Sequence, residues 1–310
     1  MVYIGKFHTD KPIIDLHVHV GPEFIPRRYS IKSLADEAQS EAFGFVAKNH
    51  FQATTSWAAM INMEYNIPII GSITLNKSVG GINHEAIRGA LSGLKTNILA
   101  ENNKLSKRRF IVWMPTIHAE AHLDQYNRKD ILAEWGSSSK DQKIYPKGEG
   151  LTILEKNNLK YLSPETVKVL ELIAKEDLIL ATGHLSAKEV ELLVIEALNI
   201  GVKKIIITHP LFQATNMPIK KQIELSKLDG VFIELCYVNL SMDNLSIDLY
   251  VKVIEAIGPK NVILTTDLGQ SFNESIIEGW RSYYNLLEKK GISKDNFLQM
   301  AVENPYIILE

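Results

Sequence analysis

Eight short runs of β-branched and aliphatic residues, spread along almost the whole 310-residue chain, constrain its fold more than any other feature. They occupy residues 12–19, 44–50, 68–75, 110–116, 178–184, 204–209, 230–235 and 262–267. Each run is nearly continuously apolar, as is typical of strands that are covered on both faces. The runs therefore predict a buried parallel sheet.

Helical patterns separate these runs. Across residues 82–94 the apolar positions fall on one helical face. Serines in N-cap sequence contexts mark three further helix starts, at Ser163, Ser186 and Ser293. Eight strands alternating with helices predict an α/β chain, and a closed (β/α)8 TIM barrel is the simplest arrangement. An open doubly wound sheet is the alternative, but the chain carries no GxGxxG loop or P-loop for its usual ligands.

Residues 133–162 interrupt the alternation after the fourth run. A polar stretch at 136–143 precedes two strand-like pieces, 151–154 and 159–162, which predicts an inserted hairpin with a flexible lead-in. The insertion follows a strand end, so it could cover the barrel mouth as a lid. A surface excursion or an oligomer contact is an equally supported interpretation. Residues 1–310 are otherwise expected to form a single domain.

Composition limits the classes of binding partner that we expect. The formal net charge of -2 argues against nucleic acid, because a phosphate-binding surface needs an excess of Lys and Arg. The single cysteine, Cys236, excludes an internal disulfide and fits a reducing cytoplasm. The start of the sequence lacks the apolar stretch of a signal peptide, and no apolar run is long enough for a transmembrane helix. We therefore expect a small-molecule substrate and no membrane partner, with homo-oligomerisation left open.

Histidines collect where the predicted strands end. His17, His19, His50, His184 and His209 all lie there, and Asp267 ends the last run. The carboxyl ends of barrel strands form the mouth where active sites of this fold lie. His17 and His19 are two residues apart on one strand, so both side chains point to the same face. Imidazole with carboxylate suits a divalent metal, most simply Zn²⁺, with Mn, Fe or Co as further options.

The stretch Asp15-Leu16-His17-Val18-His19 resembles the DxHxH signature of the amidohydrolase superfamily. The order of His184, His209 and Asp267 on later strands is similar to that of the same superfamily. Residues 15–21, 48–50, 183–186 and 267–269 also resemble an uncharacterised branch of predicted metal-dependent hydrolases. The resemblance extends from about residue 13 to 309, apart from the inserted hairpin, and that branch implies no substrate.

The resemblance implies a role for each of these residues. His17 and His19 would hold the more buried metal, with Asp267 as a further ligand that also shuttles a proton. His184 and His209 would hold a second ion, or else His184 would bind a single ion while His209 polarises the substrate. The implied reaction is attack by metal-bound hydroxide on an amide, ester or lactone bond of a small molecule.

Lys48 leaves the metal count at one or two ions. Relatives with two ions usually bridge them with a carboxylated lysine or a glutamate on strand three or four, and residues 113–116 offer neither. Lys48, on the second run, could carry a carboxylate and bridge two ions. It could instead stay cationic and bind an anionic substrate, or extend to solvent.

Other candidates carry weaker signals. Lys77, Gly80 and Gly81 follow the third run and could hold an anion through backbone N–H groups, or simply form a tight connection. His122, with the neighbouring His118 and Glu120, would line the pocket or form a solvated helix face. His50 is a substrate-binding candidate beside Lys48. Glu234, inside the seventh run, is either a pocket acid or an outward-facing charge.

Three alternatives to the hydrolase remain at this point. A metal-dependent decarboxylase or other lyase can use the same scaffold. A phosphoesterase of the polymerase-and-histidinol-phosphatase type also begins with an HxH strand, but it normally ends on an Asp-x-His pair that residues 267–269 lack. A barrel that binds a metal or ligand without turnover is least favoured, although fold alone does not exclude it.

Overall fold

Strands and helices alternate along the chain in this computed structural model, which describes residues 2–4, 7–9, 11–93, 110–126 and 145–310. The strands are β1 (Val2–Ile4), β2 (Phe7–Thr9), β3 (Ile14–His19), β4 (Gly44–Lys48), β5 (Ile69–Ile70), β6 (Ser72–Thr74), β7 (Ile111–Trp113), β8 (Leu154–Glu155), β9 (Asn158–Leu162), β10 (Ile179–Ala181), β11 (Lys204–Ile207), β12 (Val231–Cys236) and β13 (Val262–Thr265). Every one of the eight predicted runs contains a strand, and the third is divided into β5 and β6 at Gly71.

The helices lie between these strands, except for the last three, which follow β13. They are α1 (Ile31–Glu41), α2 (Thr55–Ile61), α3 (His84–Ser92), α4 (Glu120–Gln125), α5 (Pro164–Lys175), α6 (Ala187–Ile200), α7 (Ile219–Ser226), α8 (Asn239–Met242), α9 (Ile247–Ile257), α10 (Ile276–Lys289), α11 (Lys294–Leu298) and α12 (Asn304–Leu309). Within the described ranges, no helix is both long and apolar enough to cross a bilayer.

Apart from the antiparallel pairs β1 with β2 and β8 with β9, the described strands pair in parallel in two sheets. One sheet has the order β13-β12-β11-β10-β7-β6 and the other the order β3-β4-β5. The backbone N–H of Asp267 donates to the His17 carbonyl at 2.9 Å, and that of His19 donates to the Leu268 carbonyl at 2.8 Å. These bonds place the first and last long strands side by side. The predicted α/β class with parallel strands is confirmed.

Side chains at the helix starts explain where the helices begin. The Ser163, Ser186 and Ser293 side chains each accept a hydrogen bond from the backbone N–H three residues on, as predicted. The sequence also suggests that the last helix ends near Pro305, and this is wrong. A π-helical turn at Gln299–Glu303 leads directly into α12, where Pro305 lies in the first turn and needs no backbone donor.

A two-stranded antiparallel hairpin, β8 with β9, follows the fourth run of the parallel sheets. The chain before it is attached to the segment after β7, because Leu151 donates to the His118 carbonyl at 2.7 Å and Glu120 donates to the Leu151 carbonyl at 2.8 Å. The expected flexible lead-in at 136–143 lies outside the described residues.

Apolar side chains fill the interior of the sheets, and buried polar groups collect at one end of the strands. Trp113, Phe45 and Ile205 are fully buried in the core. His17, Lys48 and many other buried polar side chains lie at or just after the carboxyl ends of β3, β4, β12 and β13. Because burying polar groups costs free energy unless they find partners, their concentration here marks the functional end of the fold.

Candidate metal centre and active-site cavity

The first and last long strands bring three ligand-type side chains to one point. His17 Nε2 lies 3.0 Å and His19 Nε2 2.9 Å from the same oxygen, Oδ1 of Asp267. The ligand atoms of the three side chains all lie within 4.8 Å of one another, and all three residues are buried. Two imidazoles and a carboxylate, pre-assembled in the interior, form a donor set suited to zinc and similar divalent ions. The predicted ligands His17, His19 and Asp267 are thus brought together.

The charge state of this cluster favours a cation. Burial alone would raise the pKa of Asp267, but His17 and His19 hold that pKa well below its usual value. Burial is the largest influence on the pKa of His17 and lowers it, but the attraction of Asp267 and Glu234 together outweighs burial, so the pKa of His17 lies above its usual value. His17 thus helps to offset the buried carboxylate charge, as a divalent ion would.

Asp15, the first residue of the DxHxH sequence, links the elements that carry the ligand-type side chains. Its carboxylate accepts hydrogen bonds from the His17 N–H at 3.1 Å, the Thr266 hydroxyl at 2.6 Å and the Trp280 indole N–H at 3.0 Å. Burial raises the pKa of Asp15 to about 7. Since these partners come from β3, the end of β13 and α10, Asp15 holds the two halves of the cluster in register.

Glu234 lies behind His17 and faces the interior, so the outward-facing interpretation is wrong. Its Oε1 lies 3.1 Å from His17 Nδ1 and accepts from the Thr265 hydroxyl at 3.0 Å. Its Oε2 accepts from the His209 backbone N–H at 3.2 Å. A carboxylate can only accept, so it favours the His17 tautomer with the proton on Nδ1. The Nε2 atom, which faces Asp267, is then left with the lone pair that a metal ligand needs.

Lys48 lies inside this centre. Its side chain is fully buried, with Nζ 2.8 Å from His17 Nε2 and 4.2 Å from the centre of the Trp113 ring. The interpretation of Lys48 as a lysine that reaches solvent is therefore wrong. Burial lowers the pKa of the Lys48 ammonium below its usual value. A larger share of the amine is therefore neutral than in water.

A second group of histidines adjoins the first. His184 Nδ1 lies 2.9 Å from His122 Nδ1, and the His184 and His209 rings are 5.0 Å apart between centres. The His209 ring is 5.9 Å from that of His17. Burial lowers the pKa of His122 to about 3 and that of His209 to about 4, so both rings are neutral, as ligation requires. Within the described part of the chain, the buried His209 Nδ1 has no hydrogen-bond partner.

The backbone at two of these residues has positive φ. His209 has φ of 20° and Asp267 has φ of 53°. Such conformations cost of order 1–3 kcal/mol in non-glycine residues and cluster at functional sites. Hydrogen bonds of the Asp267 N–H to His17 and of the His209 N–H to Glu234 help to hold both residues in place.

Arg27 and Glu23 are site residues that the sequence patterns do not reveal. The Arg27 Nη2 lies 3.0 Å from His19 Nδ1, and its Nε donates to Glu23 Oε1. Glu23 Oε2 in turn accepts the His50 backbone N–H at 2.8 Å. Both residues lie in the loop after β3, where no periodic pattern marks inward-facing positions. An Arg and a Glu four residues apart beside a ligand strand is the only available signal, and it is common on surfaces.

A cavity of about 260 Å³ opens over the two histidine groups. The predicted site residues that line it are His19, Lys48, His50, His122, His184, His209 and Asp267. His50 is held by the Thr116 hydroxyl, 2.9 Å from its Nδ1. Apolar side chains form much of the remaining wall, namely Ile25, Ile117, Phe212, Val238 and Met242. None of the described residues 145–162 is among the lining, so the described part of the insertion does not cover the cavity.

Lys77, Gly80 and Gly81 are not brought to the cavity. Lys77 Nζ donates to the Glu149 carbonyl and lies 4.3 Å from the centre of the Tyr145 ring. Gly80 and Gly81 have φ of 88° and 75°, which turn the chain sharply after a 3-10 helix at Lys77–Val79. This geometry supports the tight-connection interpretation of the loop, because it directs Lys77 towards the insertion instead of the cavity.

The parallel α/β fold is that of amidohydrolase structures. An amidohydrolase from Pseudomonas aeruginosa matches with a TM-score of 0.53 and 13% identity, over 96% of this chain and 95% of that one. A zinc-bound amidohydrolase from Burkholderia multivorans matches with a TM-score of 0.51 and 10% identity, over 96% and 100% of the two chains. These matches confirm the predicted resemblance at the level of fold. The chain belongs to a family of unknown function, DUF6282, whose model matches residues 12–234. A search of curated proteins finds no significant match.

Proposed function

We propose that this chain is a metal-dependent hydrolase built on a closed (β/α)8 barrel, with residues 1–310 forming one domain. The hydrogen bonds between β3 and the end of β13 support closure on one side. On the other side the Ser72 hydroxyl donates to the Ala47 carbonyl at 2.7 Å, which links β6 to β4. The fold of the amidohydrolase structures is consistent with this closure.

The observation that carries the proposal is the convergence of His17, His19 and Asp267 within 4.8 Å of one another in the interior. These residues would hold a divalent ion, and zinc suits the donors best. When bound, such an ion polarises a carbonyl group and lowers the pKa of water towards neutrality. The Glu234 carboxylate supports this role by directing His17 Nε2 at the ligand position.

Each remaining residue then has a task in cleaving an amide, ester or lactone. Asp267, ionised because its pKa is depressed, accepts the proton of the attacking water at a carboxylate oxygen and returns it to the leaving group. With a single ion bound, His209, a neutral imidazole beside the cluster, orients the substrate carbonyl oxygen. His50 and His122 form polar walls, while the apolar lining excludes water. The cavity volume restricts the substrate to a small molecule.

In this proposal, the chemical state of Lys48 determines whether the site holds one ion or two. The neutral amine of Lys48, favoured by burial, adds to the carbon of CO₂ and releases one proton, which gives a carbamate anion. That anion would supply a further oxygen ligand where two ions are held, one by His17 and His19 and one by His184 and His209. Carbon-13 NMR of protein equilibrated with labelled bicarbonate would show a carbamate signal that is absent from Lys48→Met. An identical spectrum from both proteins, with one zinc in each, would contradict the carbamate and support a single ion beside a cationic lysine.

The proposal is tested by metal content and turnover together. Purified protein should contain bound zinc or a similar ion, and it should cleave members of a panel of esters, lactones and amides. His17→Ala and Asp267→Asn should lose metal or activity, whereas His84→Ala, at an exposed histidine paired with Glu85, should keep both. Activity that survives in His17→Ala and Asp267→Asn would contradict the proposal, as would protein that takes up no metal.

A further inference from the structure

We infer that Arg27 forms an anion subsite beside the metal centre, and that the substrate carries a carboxylate near the carbonyl group of the bond that is cleaved. This inference rests on the proposed function, which it extends to the chemical class of the substrate. The Arg27 side chain is only 3% exposed, yet it lines the cavity together with His19 and Asp267. A buried guanidinium on a cavity wall is costly unless its donors are satisfied.

The position of Arg27 is fixed by its neighbours. Its Nε is held by the fully buried Glu23 carboxylate, which also accepts the His50 N–H. Its backbone forms an antiparallel bridge with Gln270, in the loop after β13. The guanidinium is therefore anchored from behind, while its outer nitrogen, Nη2, is directed at the site. Such an anchored, planar fork suits a carboxylate better than a flexible lysine does.

The contact between Arg27 and His19 is incompatible with a metal on His19. A guanidinium only donates, so at 3.0 Å the His19 Nδ1 must accept, and the His19 proton then lies on Nε2, 2.9 Å from Asp267 Oδ1. If Nε2 becomes a metal ligand, the proton moves to Nδ1, where it faces a donor. Arg27 Nη2 must then turn away from His19 and find another acceptor. An anionic group of the substrate in the adjoining cavity meets that need.

The apolar part of the cavity lining indicates the rest of the substrate. Ile117, Phe212, Val238 and Met242 present apolar side chains to the same cavity as Arg27. A ligand that fits this lining has a carboxylate at Arg27, a scissile carbonyl over the histidines and an apolar body. This description corresponds to a small carboxylated ester, amide or lactone.

Benzoate and benzamide form a matched pair of probes, because they differ mainly in charge. Calorimetric titration of the zinc-loaded protein should show benzoate binding roughly tenfold or more tightly than benzamide, as expected for a charge-assisted contact. The Glu23→Gln/Arg27→Gln double variant removes the buried pair together, so no charge is left unpaired. It should lose this preference and retain its affinity for benzamide. Arg28→Gln, at the neighbouring exposed arginine, should behave as wild type.

Zinc affinity provides a readout that is independent of turnover. The Arg27 contact requires a bare Nδ1 on His19, whereas a metal on Nε2 requires a proton on Nδ1. The double variant, which removes the Arg27 contact, should therefore bind zinc at least as tightly as wild type. Weaker zinc binding would show that Arg27 merely supports His19 and would overturn the inference, as would unchanged benzoate preference. If the double variant does not fold, Arg27→Lys decides, since it keeps the charge but loses the fork. Its preference for benzoate should fall, and an undiminished preference refutes the subsite.

Failure of the subsite can be told apart from failure of the hydrolase assignment. Protein that takes up zinc and cleaves neutral esters, but shows no preference for benzoate, would contradict only the inference about Arg27. Protein that takes up no zinc and cleaves nothing in the panel would contradict the assignment itself.

Discussion

Replacing Glu234 by glutamine should weaken metal binding without touching a metal ligand. The Glu234 carboxylate receives two donors at Oε1, from His17 and Thr265, and one at Oε2, from the backbone of His209. A glutamine has a single acceptor oxygen, which will take the position with two donors. Its NH₂ group then faces the His209 N–H, and that buried donor is left without an acceptor.

The magnitude follows from these contacts. An unsatisfied buried N–H group costs about 1–3 kcal/mol, so the free energy of unfolding should fall by that amount. The bond to His17 also changes from charge-assisted to neutral, which roughly halves its strength. Losing an outer partner of a ligating histidine typically costs about 10–100-fold in metal affinity. We expect the lower end, about tenfold, because the amide oxygen still favours the same His17 tautomer.

Competition with a chromophoric chelator measures the zinc affinity, and urea unfolding measures the stability. Glu189→Gln is the matched control, because the Glu189 carboxylate accepts from the Ser186 N–H and hydroxyl groups and the Thr152 hydroxyl, away from the metal centre. It should lose stability but no zinc affinity. Equal zinc affinity in Glu234→Gln and wild type would refute the reasoning, and so would an equal loss in Glu189→Gln.

Three further outcomes are expected. Gly183→Ala should destabilise the protein by about 1–3 kcal/mol more than Gly201→Ala in urea unfolding. A Cβ at Gly183 would lie 2.4 Å from the Met114 carbonyl oxygen, whereas one at Gly201 meets no atom within 4 Å. Equal losses of stability would contradict this reasoning. Zinc at about 100 times its Kd should raise the unfolding free energy by about 2.7 kcal/mol, with little rise in His17→Ala, and a chelator should reverse it; an equal rise in both proteins would place the metal elsewhere. Burial raises the pKa of Tyr237 to about 12, so the stability that this tyrosine confers is complete below its ordinary pKa and is lost as the pH rises towards 12. The stability difference between wild type and Tyr237→Phe should therefore shrink between about pH 10 and about pH 12, and a constant difference would contradict the shift.

The convergence of the histidines with Asp267 could be predicted from the sequence because local rules place these residues. A two-residue spacing orients His17 and His19 to one face of a strand, and parallel strands bring their carboxyl ends together, which adds His184, His209 and Asp267. Each of these residues ends an apolar run that is visible in the sequence. Strand spacing and parallel strand ends therefore group these residues without reference to side-chain packing.

Loop residues could not be predicted in this way. Arg27 reaches the cavity because the loop after β3 pairs with Gln270, a contact between segments more than 240 residues apart. Lys77 is directed away from the cavity because its loop packs on residues 145–149. In both cases tertiary contacts decide where the side chain points, and neither periodicity nor composition records them. The same holds for the orientation of Glu234, which alternation alone left undecided.

The union of β3 with the end of β13 has a consequence for biogenesis. His17 and His19, two of the proposed ligands, precede the carboxylate of Asp267 by about 250 residues in the chain. A nascent chain can therefore present His17 and His19 to any available ion long before Asp267 leaves the ribosome. Tight and selective capture must wait until the final strand docks, a late event of high sequence separation. On the proposed function, tight metal binding therefore depends on the docking of β13 and not on the local histidine pair alone.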